Sequence, residues 1–424
     1  MEHEYRIPTA TVTTARFADY VKRDSESHGM KLRWAFPPYP VGFVSRSVLR
    51  RYVDGNDPVT GKPLMQEMVD ALTQPLTEEE KNPTIVKRPK RPRLLKKDTE
   101  ENLHRLFLES GWTDGLPIIL PTEERVAEML TGTDHDPEEV VGMMTVTTHQ
   151  EKLEYTVEKV AVIAVMAGAR PEHLPMILAL AASQEPSMPS STTSFGRMVV
   201  VNGPIRNEIG INYGAGALSP FNFANSVIGR AYTLMSFNFG DAKLAENFTA
   251  TFGHTTNYNN MFCGENEELS VWEPFHVQKG FRPEESTVSL FRGWNVNNLG
   301  MGPAKRMAEV MKGLHSMVPA FTFVMDPLAA KSLKEEEGFK TKEDLCKWLA
   351  DEVRPVKGPF MVPENINIVV VGGEWNPMWI TMDFFYTQTV SIDKWIPKAG
   401  IRHDKRPLRM PAAIKCNEAS CGIR

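Results

Sequence analysis

The hydrophobic positions of this chain switch repeatedly between two spacings. Apolar residues three and four apart mark helices, and short unbroken apolar runs mark strands buried on both faces. From Asp98, "DTEENLHRLFLESGW" places Leu103, Leu106, Phe107 and Leu108 near helical spacing, behind an aspartate cap and ahead of Gly111. "LPIILP" then predicts a short buried strand, and "PTEERVAEMLTGT" a helix with Pro121 and Thr122 at its head and Gly132 past its end. "YTVEKVAVIAVMAGA" and "RPEHLPMILALAASQ" predict two interior helices parted by a proline. "RMVVVNGPI" is the clearest strand, and "GINYGAGALSPFNFANSVIGRAYTLMSFNF" reads as a glycine-rich loop running into a helix capped near Asn222 or Asn225.

Downstream, "STVSLFRG", "PAFTFVMDP" and "NINIVVVGGEW" predict strands, while "PAKRMAEVMKGLHSM" and "TKEDLCKWLADEV", capped at Thr341, predict helices. The alternation argues for an α/β fold: a mixed or largely parallel sheet with flanking helices. In such sheets the loops leaving the carboxyl ends of the strands build the ligand site. No fixed-period repeat is visible.

Residues 1–98 have another texture. "FPPYPVG", "GNDPVTGKP" and "KNPTIVKRPKRPRLLKK" set prolines, glycines and clustered charge between short apolar pieces, so an irregular N-terminal extension is expected. Its basic run is Lys87, Arg88, Lys90, Arg91, Arg93, Lys96 and Lys97, and the interleaved prolines favour an extended strap that docks on another subunit, or a solvated linker, over a nucleic-acid grip. The organisation expected is therefore a proline-rich, basic arm (1–98), an α/β domain (99–400, open to division into lobes 99–240 and 241–400) and a tail (401–424).

Composition narrows the function classes. With 424 residues, 42 % hydrophobic and 24 % charged, the chain can bury a large core. A net charge of -5 supplies no field for nucleic acid or an anionic membrane. The N-terminal "MEHEYRIPTATVTTARFADYVKR" lacks the apolar core of a signal peptide, and no apolar run approaches the roughly 18 residues of a membrane span. A cytoplasmic protein is expected, without membrane or nucleic-acid partners, that binds a small molecule and assembles as a homo-oligomer or as a subunit of a hetero-complex through residues 1–98. The four cysteines (Cys263, Cys346, Cys416, Cys421) are too few and scattered for a disulfide framework; Cys416 and Cys421, in "KCNEASCGIR", are a weak redox or metal signal.

Two stretches carry chemistry. In "VVVNGPIRNEIGINYGAGALSP" a strand meets Gly203, Gly210, Gly214 and Gly216, bringing bare backbone amides near a helix start; Asn202, Asn212, Gly214 and Arg230 are candidates for substrate binding. No dinucleotide or P-loop fingerprint is present. In "GHTTNYNNMFCGENEELSVWEPFH", too polar for a core element, His254, Glu265, Glu268 and His276 suit acid–base work, with Cys263 among them and Trp272 as a binding wall. His254, Glu268 and His276 also form a nitrogen–oxygen set for a divalent transition metal. In "SGWTDGLPI", Asp114 caps a turn or reaches the site, and "VVVGGEWNPMW" offers Gly372 and Gly373 to a ligand, with Trp375 and Trp379 as walls or packing.

The phrases "GWTDGLP", "NGPIRNEIGIN" and "ENEELSVWEPFH" resemble signatures of a widespread, poorly characterised bacterial family, in part grouped with UGSC family proteins. The resemblance spans residues from about 105 to 395. It implies site roles for His254, Glu265, Glu268, Trp272 and His276, with Cys263 inside the same block, but no reaction. Two departures stand out: the first hundred residues lie outside the pattern, and "EWNPMWITMDFFYTQTV" replaces a more polar turn.

Three functions follow as expectations. The first is a lyase or hydratase performing acid–base addition or elimination, with or without a metal, on a small oxygenated or carboxylated substrate, His254 and Glu265 acting as base and acid. The second is a thiol-dependent redox enzyme using Cys263 or Cys416 and Cys421; acidic neighbours of Cys263 oppose it, because a thiolate needs nearby positive charge. The third is a non-catalytic scaffold subunit. The catalytic case requires the imidazoles and acids between Gly253 and His276 to share one cavity.

Overall fold

The computed structural model describes residues 1–27, 29–42, 44–84, 92–144, 154–189, 191–193, 195–240, 242–244 and 248–401. In the body, helices α1 (Glu100–Glu109) and α2 (Glu123–Leu130) begin at Thr99 and Thr122, whose side chains accept the N–H of Asn102 and Arg125. The expected strand "LPIILP" joins no ladder: Ile118 and Leu120 are buried, and the segment is tied instead to a later helix, Val157–Ala167, by Ile119 N–H donating to Met166 O (3.2 Å). Helices α3 (Val157–Ala167) and α4 (Leu174–Ala182) are buried nearly all round, as their unbroken apolar sequences require.

Strand β1 (Gly196–Asn202) is buried at every position, and α5 (Phe223–Asn238) follows its glycine-rich loop. The "too polar" stretch contains a buried strand, β2 (Phe262–Gly264), so the sequence expectation of a loop region is corrected there. Then come β3 (Thr287–Gly293), β4 (Val296–Met301), α6 (Ala304–Gly313), β5 (Phe321–Met325), α7 (Pro327–Glu335), α8 (Lys342–Lys357), β6 (Ile366–Val370), β7 (Met378–Met382) and β8 (Phe385–Ser391).

These strands form two four-stranded sheets, ordered β8-β3-β1-β2 and β4-β7-β5-β6. Their plans coincide. Each has a parallel pair (β1 with β2, β5 with β6), a third strand antiparallel to the first of that pair, and an edge strand antiparallel to the third. The chain runs through this plan twice and exchanges the last strand: β4 follows β3 but completes the sheet of β5, and β8 follows β7 but completes the sheet of β1. Where the exchanging connections meet, Asp383 is fully buried. Its Oδ1 accepts the N–H of Trp294 (2.8 Å) and of Asn295 (2.7 Å), and its Oδ2 accepts Asn295 Nδ2–H (2.8 Å). A Cβ on the adjoining Gly293 would lie 2.7 Å from Asp383 O, so only glycine fits this approach.

Alternation along the strands sorts side chains into layers. Met198, Val200, Cys263, Phe291, Val324, Val369, Met382 and Phe384, drawn from both sheets, make one apolar layer between them. The opposite faces pack on helices: Val199, Val201, Phe262 and Leu290 against α3, α4 and α5, and Phe323, Met325, Ile368 and Val370 against α6, α7 and α8. The architecture is α/β with flanking helices, in four layers of helices, sheet, sheet and helices.

Residues 1–84 are not the extended strap expected. They hold helices Ala18–Ser27, Arg46–Val53 and Leu64–Thr73, a short parallel pairing of Thr11–Val12 with Trp34–Ala35, and a small core of Ala35, Phe36, Leu64, Ala71 and Leu76. The prolines and glycines of "GNDPVTGKP" build a turn around fully buried Asp57, whose carboxylate accepts the N–H of Phe36 and Val59, both at 2.7 Å. Arg33 fastens the unit by donating to the carbonyls of Ala71, Gln74 and Pro75 and to Glu80. Of the basic run, Lys87, Arg88, Lys90 and Arg91 lie outside the described residues, as do Cys416 and Cys421 of the tail. Arg93 pairs with Glu158 and Glu123, and Lys96 and Lys97 are exposed. Among the described residues no helix is long and apolar enough to cross a membrane.

Candidate functional site

The parallel pair β1 and β2 ends in register, Val201 facing Gly264, so the next residues, Asn202 and Glu265, stand side by side. Glu265 is fully buried. Its Oε1 accepts from Lys342 Nζ (2.6 Å) and from Val370 N–H (3.4 Å), its Oε2 from Asn202 Nδ2 (2.7 Å) and from Phe275 N–H (2.6 Å). Lys342, at the first turn of α8, reaches in from the second half of the chain and is itself 2 % exposed. Every acceptor direction of the carboxylate is engaged, which makes Glu265 an anchor of the fold with no lone pair free for a substrate proton.

Its acidic neighbours are also spoken for. Glu267 accepts from Asn202 Nδ2 (2.9 Å), from Gly203 N–H (2.8 Å) and from Arg206 (3.0 Å). Glu268 is held by Arg206 (3.0 and 3.2 Å) and Asn207 (3.2 Å). Burial alone raises the Glu268 carboxyl, but these hydrogen bonds outweigh it and hold the group below the usual carboxylate range. Arg206, which sequence reasoning passed over, is the hub: it also donates to Glu265 O (2.5 Å) and lies over the Tyr213 ring at 4.7 Å. His276 is fully buried and donates Nε2–H to Arg282 O (3.1 Å), leaving Nδ1 as a buried acceptor without a partner among the described residues. Cys263 lies in the apolar layer between the sheets, where burial, and secondarily the charge of Glu265, push its thiol up to about 12. That environment opposes a thiolate nucleophile.

His254 sits elsewhere. Its ring packs on Gly196, where a Cβ would come within 2.6 Å of it, whereas Glu265 is bonded to Asn202 at the other end of β1. The length of that strand separates them by roughly 20 Å at about 3.3 Å per residue. The shared acid–base cavity expected from the sequence is therefore not formed. His254 Nδ1 accepts from Thr256 N–H (3.2 Å), which puts the ring proton on Nε2, donated to Trp294 O (3.0 Å). Burial lowers its pKa, so the ring is a neutral strut with both nitrogens in use. The expected metal set of His254, Glu268 and His276 is likewise not brought together, and among the described residues no cluster of His, Cys, Asp and Glu fits a metal ion. The residues therefore do not fit the divalent metal considered from the sequence.

The remaining candidates are structural in their contacts. Asn212 Oδ1 accepts Gly214 N–H (2.9 Å), and buried Asn225 clamps the backbone of Asn212 while donating to Phe262 O (3.1 Å). Asn222 precedes α5 but makes no side-chain cap, donating instead to the carbonyls of Gly216, Ala217 and Ser219. Arg230 forms a two-pronged pair with Asp114 (2.8 and 2.9 Å) and donates to Pro117 O (2.8 Å), locking the "GWTDGLP" turn onto α5. Trp272 is in the core under α8's layer and donates to Phe339 O (3.0 Å).

Two cavities stand out among the described residues. One, of about 1010 Å³, is lined by Asp114, Thr233, Phe237, His254, Asn257 and Tyr258 among others, on the helix side of the first sheet. The other, of about 310 Å³, lies beyond the carboxyl ends of β5 and β6, where the two glycine-rich loops meet. There Gly372 N–H donates to Tyr213 O (2.8 Å), Asn266 Nδ2 donates to Gly372 O (2.9 Å), and a Cβ on Gly373 would sit 3.0 Å from that of Ala215. Gly372, at φ +108°, makes this approach possible. The walls are Leu218, Val324, Val371, Ile380, Trp375 and Trp379, and the ionisable side chain lining it is Asp326. Asp326 is nine-tenths buried; Oδ1 accepts the N–H of Leu328 (2.7 Å) and Ala329 (3.1 Å) at the head of α7, and Oδ2 accepts Met378 N–H. The sequence signal for it was "MDP", an aspartate directly after an apolar strand and before a helix-opening proline.

No family model, curated protein or solved structure matches this chain.

Proposed function

We propose that the chain is a small-molecule-binding protein whose ligand occupies the 310 Å³ cavity between the glycine-rich loops. The observation that carries this reading is its position. It opens at the carboxyl ends of a parallel strand pair, where α/β sheets place ligands, and both halves of the chain contribute walls to it. Its lining joins apolar and aromatic surface to a single buried carboxylate, the usual make-up of a selective pocket. Acid–base addition or elimination through His254, Glu265, Glu268 and His276 draws no support from the geometry, because Glu265, Glu268 and both nitrogens of His254 are committed to internal partners and His276 is sealed inside.

The test is a fragment screen by ligand-observed NMR on the full chain and on Ile380→Trp, which fills the cavity from a strand wall. Fragments bound by the parent and lost in the variant support the site. Fragments bound equally by both place binding elsewhere and overturn it.

A further inference from the structure

The duplicated strand plan permits a comparison that identifies the chemistry of the ligand, and it rests on the cavity reading above. In the first half, the residues that follow the parallel pair are Asn202 and Glu265. In the second half, Met325 faces Val370 in register, so the equivalent residues are Asp326 and Val371. Each half thus places one buried carboxylate at the carboxyl end of its parallel pair, on Glu265 after the second strand in one and on Asp326 after the first strand in the other.

The two carboxylates differ in what neutralises them. Glu265 receives the Lys342 ammonium at 2.6 Å, delivered from the opposite half. Asp326 receives three backbone N–H groups, from Leu328, Ala329 and Met378, and no lysine or arginine among the described residues pairs with it. Neutral donors stabilise a buried carboxylate without cancelling its charge. They occupy three of its roughly four acceptor directions, leaving one. In place of a lysine, the space beside Asp326 is the cavity, with Trp375 at its mouth and Glu374 exposed beside Trp375. The exposed Trp375 indole at the mouth offers a face that attracts organic cations, at the modest strength of a solvated site.

We propose that this cavity binds a small organic cation, a primary ammonium on a compact apolar body, whose charged group stands to Asp326 as Lys342 stands to Glu265 and whose body lies between Trp375, Leu218 and Ile380. The opening suits such a ligand. At about 310 Å³ it sits at the lower end of ligand-site volumes, room for an amine of small size and too little for a nucleotide.

Calorimetric titration of the full chain with three probes of one shape, isopentylammonium, isopentanol and isovalerate, tests this. The ammonium is expected to bind at least tenfold more tightly than the alcohol, with the carboxylate weakest; Asp326→Asn should remove the preference for ammonium over alcohol, and Trp375→Ala should weaken both. Equal affinity for ammonium and alcohol, or a preference that survives Asp326→Asn, overturns the cation while leaving the cavity. Absence of binding by all three probes, or binding undiminished in Ile380→Trp, overturns the cavity reading itself. Should Asp326→Asn fail to fold, the ammonium-to-alcohol ratio of the parent decides alone.

Discussion

In the first half of the molecule the crevice beyond the parallel strands is filled from within. Glu265, Glu267, Glu268, Arg206 and Lys342 close on one another there, and Lys342 and Glu265 are 1 % and 0 % exposed at their side chains. In the second half the same topological position is open, lined by glycine and tryptophan around one carboxylate. One strand plan thus yields a sealed crevice and an open one. The difference teaches that a cluster of charged residues in a sequence is no measure of a site: the richer cluster is the one consumed by its own salt bridges, and the poorer one lines the open cavity.

The comparison breaks most readily at Lys342. Lys342→Met strands a buried Glu265 carboxylate, and the expected loss is about 3–5 kcal/mol, read as the shift in urea unfolding. The pair Lys342→Met with Glu265→Gln, which removes the charge and keeps a carbonyl oxygen for the Phe275 N–H, should regain part of it. A loss below about 1 kcal/mol for the single variant would mean that the first crevice is not sealed by this pair.

Next in size is the junction between the halves. Asp383→Ala leaves the N–H groups of Trp294 and Asn295 buried without an acceptor, at about 1–3 kcal/mol for each stranded donor. The same unfolding experiment checks it. An effect confined to one sheet, seen by hydrogen exchange, would contradict the role of this residue in joining the two.

Acid sharpens the contrast further, because His173, buried at the head of α4, belongs to the first half. His173, at the head of α4, accepts Arg170 N–H through Nδ1 (3.1 Å), and burial, reinforced by the charge of Arg170, holds its pKa down at about 3. The second half, residues 304–382, has a single histidine, His315, and it is exposed. Since the folded pKa lies below the unfolded value near 6.5, the unfolded chain binds more protons across the interval. The contribution is whole above pH ~6.5 and is lost as pH falls, at up to about 1.4 kcal/mol per pH unit. His254, lowered in the same direction by burial, adds to the slope. His173→Asn, which keeps an acceptor for Arg170, should flatten stability against pH between 6 and 5; an unchanged slope refutes the assignment.

The smallest effect on stability belongs to Trp375, 83 % exposed at the cavity mouth. Trp375→Ala should change stability by no more than about 0.5 kcal/mol while weakening ligand binding, so that binding and folding separate in the open half. A large loss of stability would make the tryptophan a packing residue and remove a wall from the proposed site.

How far the sequence went can be judged from particular segments. The α/β class and the helices capped at Thr122 and Thr341 were readable from apolar spacing and cap chemistry, which are local. The second strand of the first sheet, Phe262–Gly264, was not, because a three-residue strand among polar neighbours has no period to detect. Nor was the duplicated plan, since the two halves share topology without a recurring sequence phrase, and the exchange of β4 and β8 scatters each sheet along the chain. Among site residues, the glycine loops were singled out correctly as neighbours of a strand end, yet their meeting at one cavity depends on tertiary pairing between Gly372 and Tyr213. Lys342 has no signal in the sequence beyond its place in the first turn of a capped helix; only its ion pair with Glu265 of the other half turns it inward. His254 and Glu265, eleven positions apart in one polar stretch, invited pairing that the run of β1 forbids.

The claim that the open crevice of the second half is the ligand site is tested most directly by fluorine NMR of the chain labelled with 5-fluorotryptophan, the Trp375 signal being assigned as the one lost in Trp375→Phe. On addition of isopentylammonium the account predicts that the Trp375 resonance shifts, while Trp112 and Trp294 near the larger cavity stay still. A shift confined to Trp112 or Trp294, with Trp375 unmoved at saturation, would contradict it.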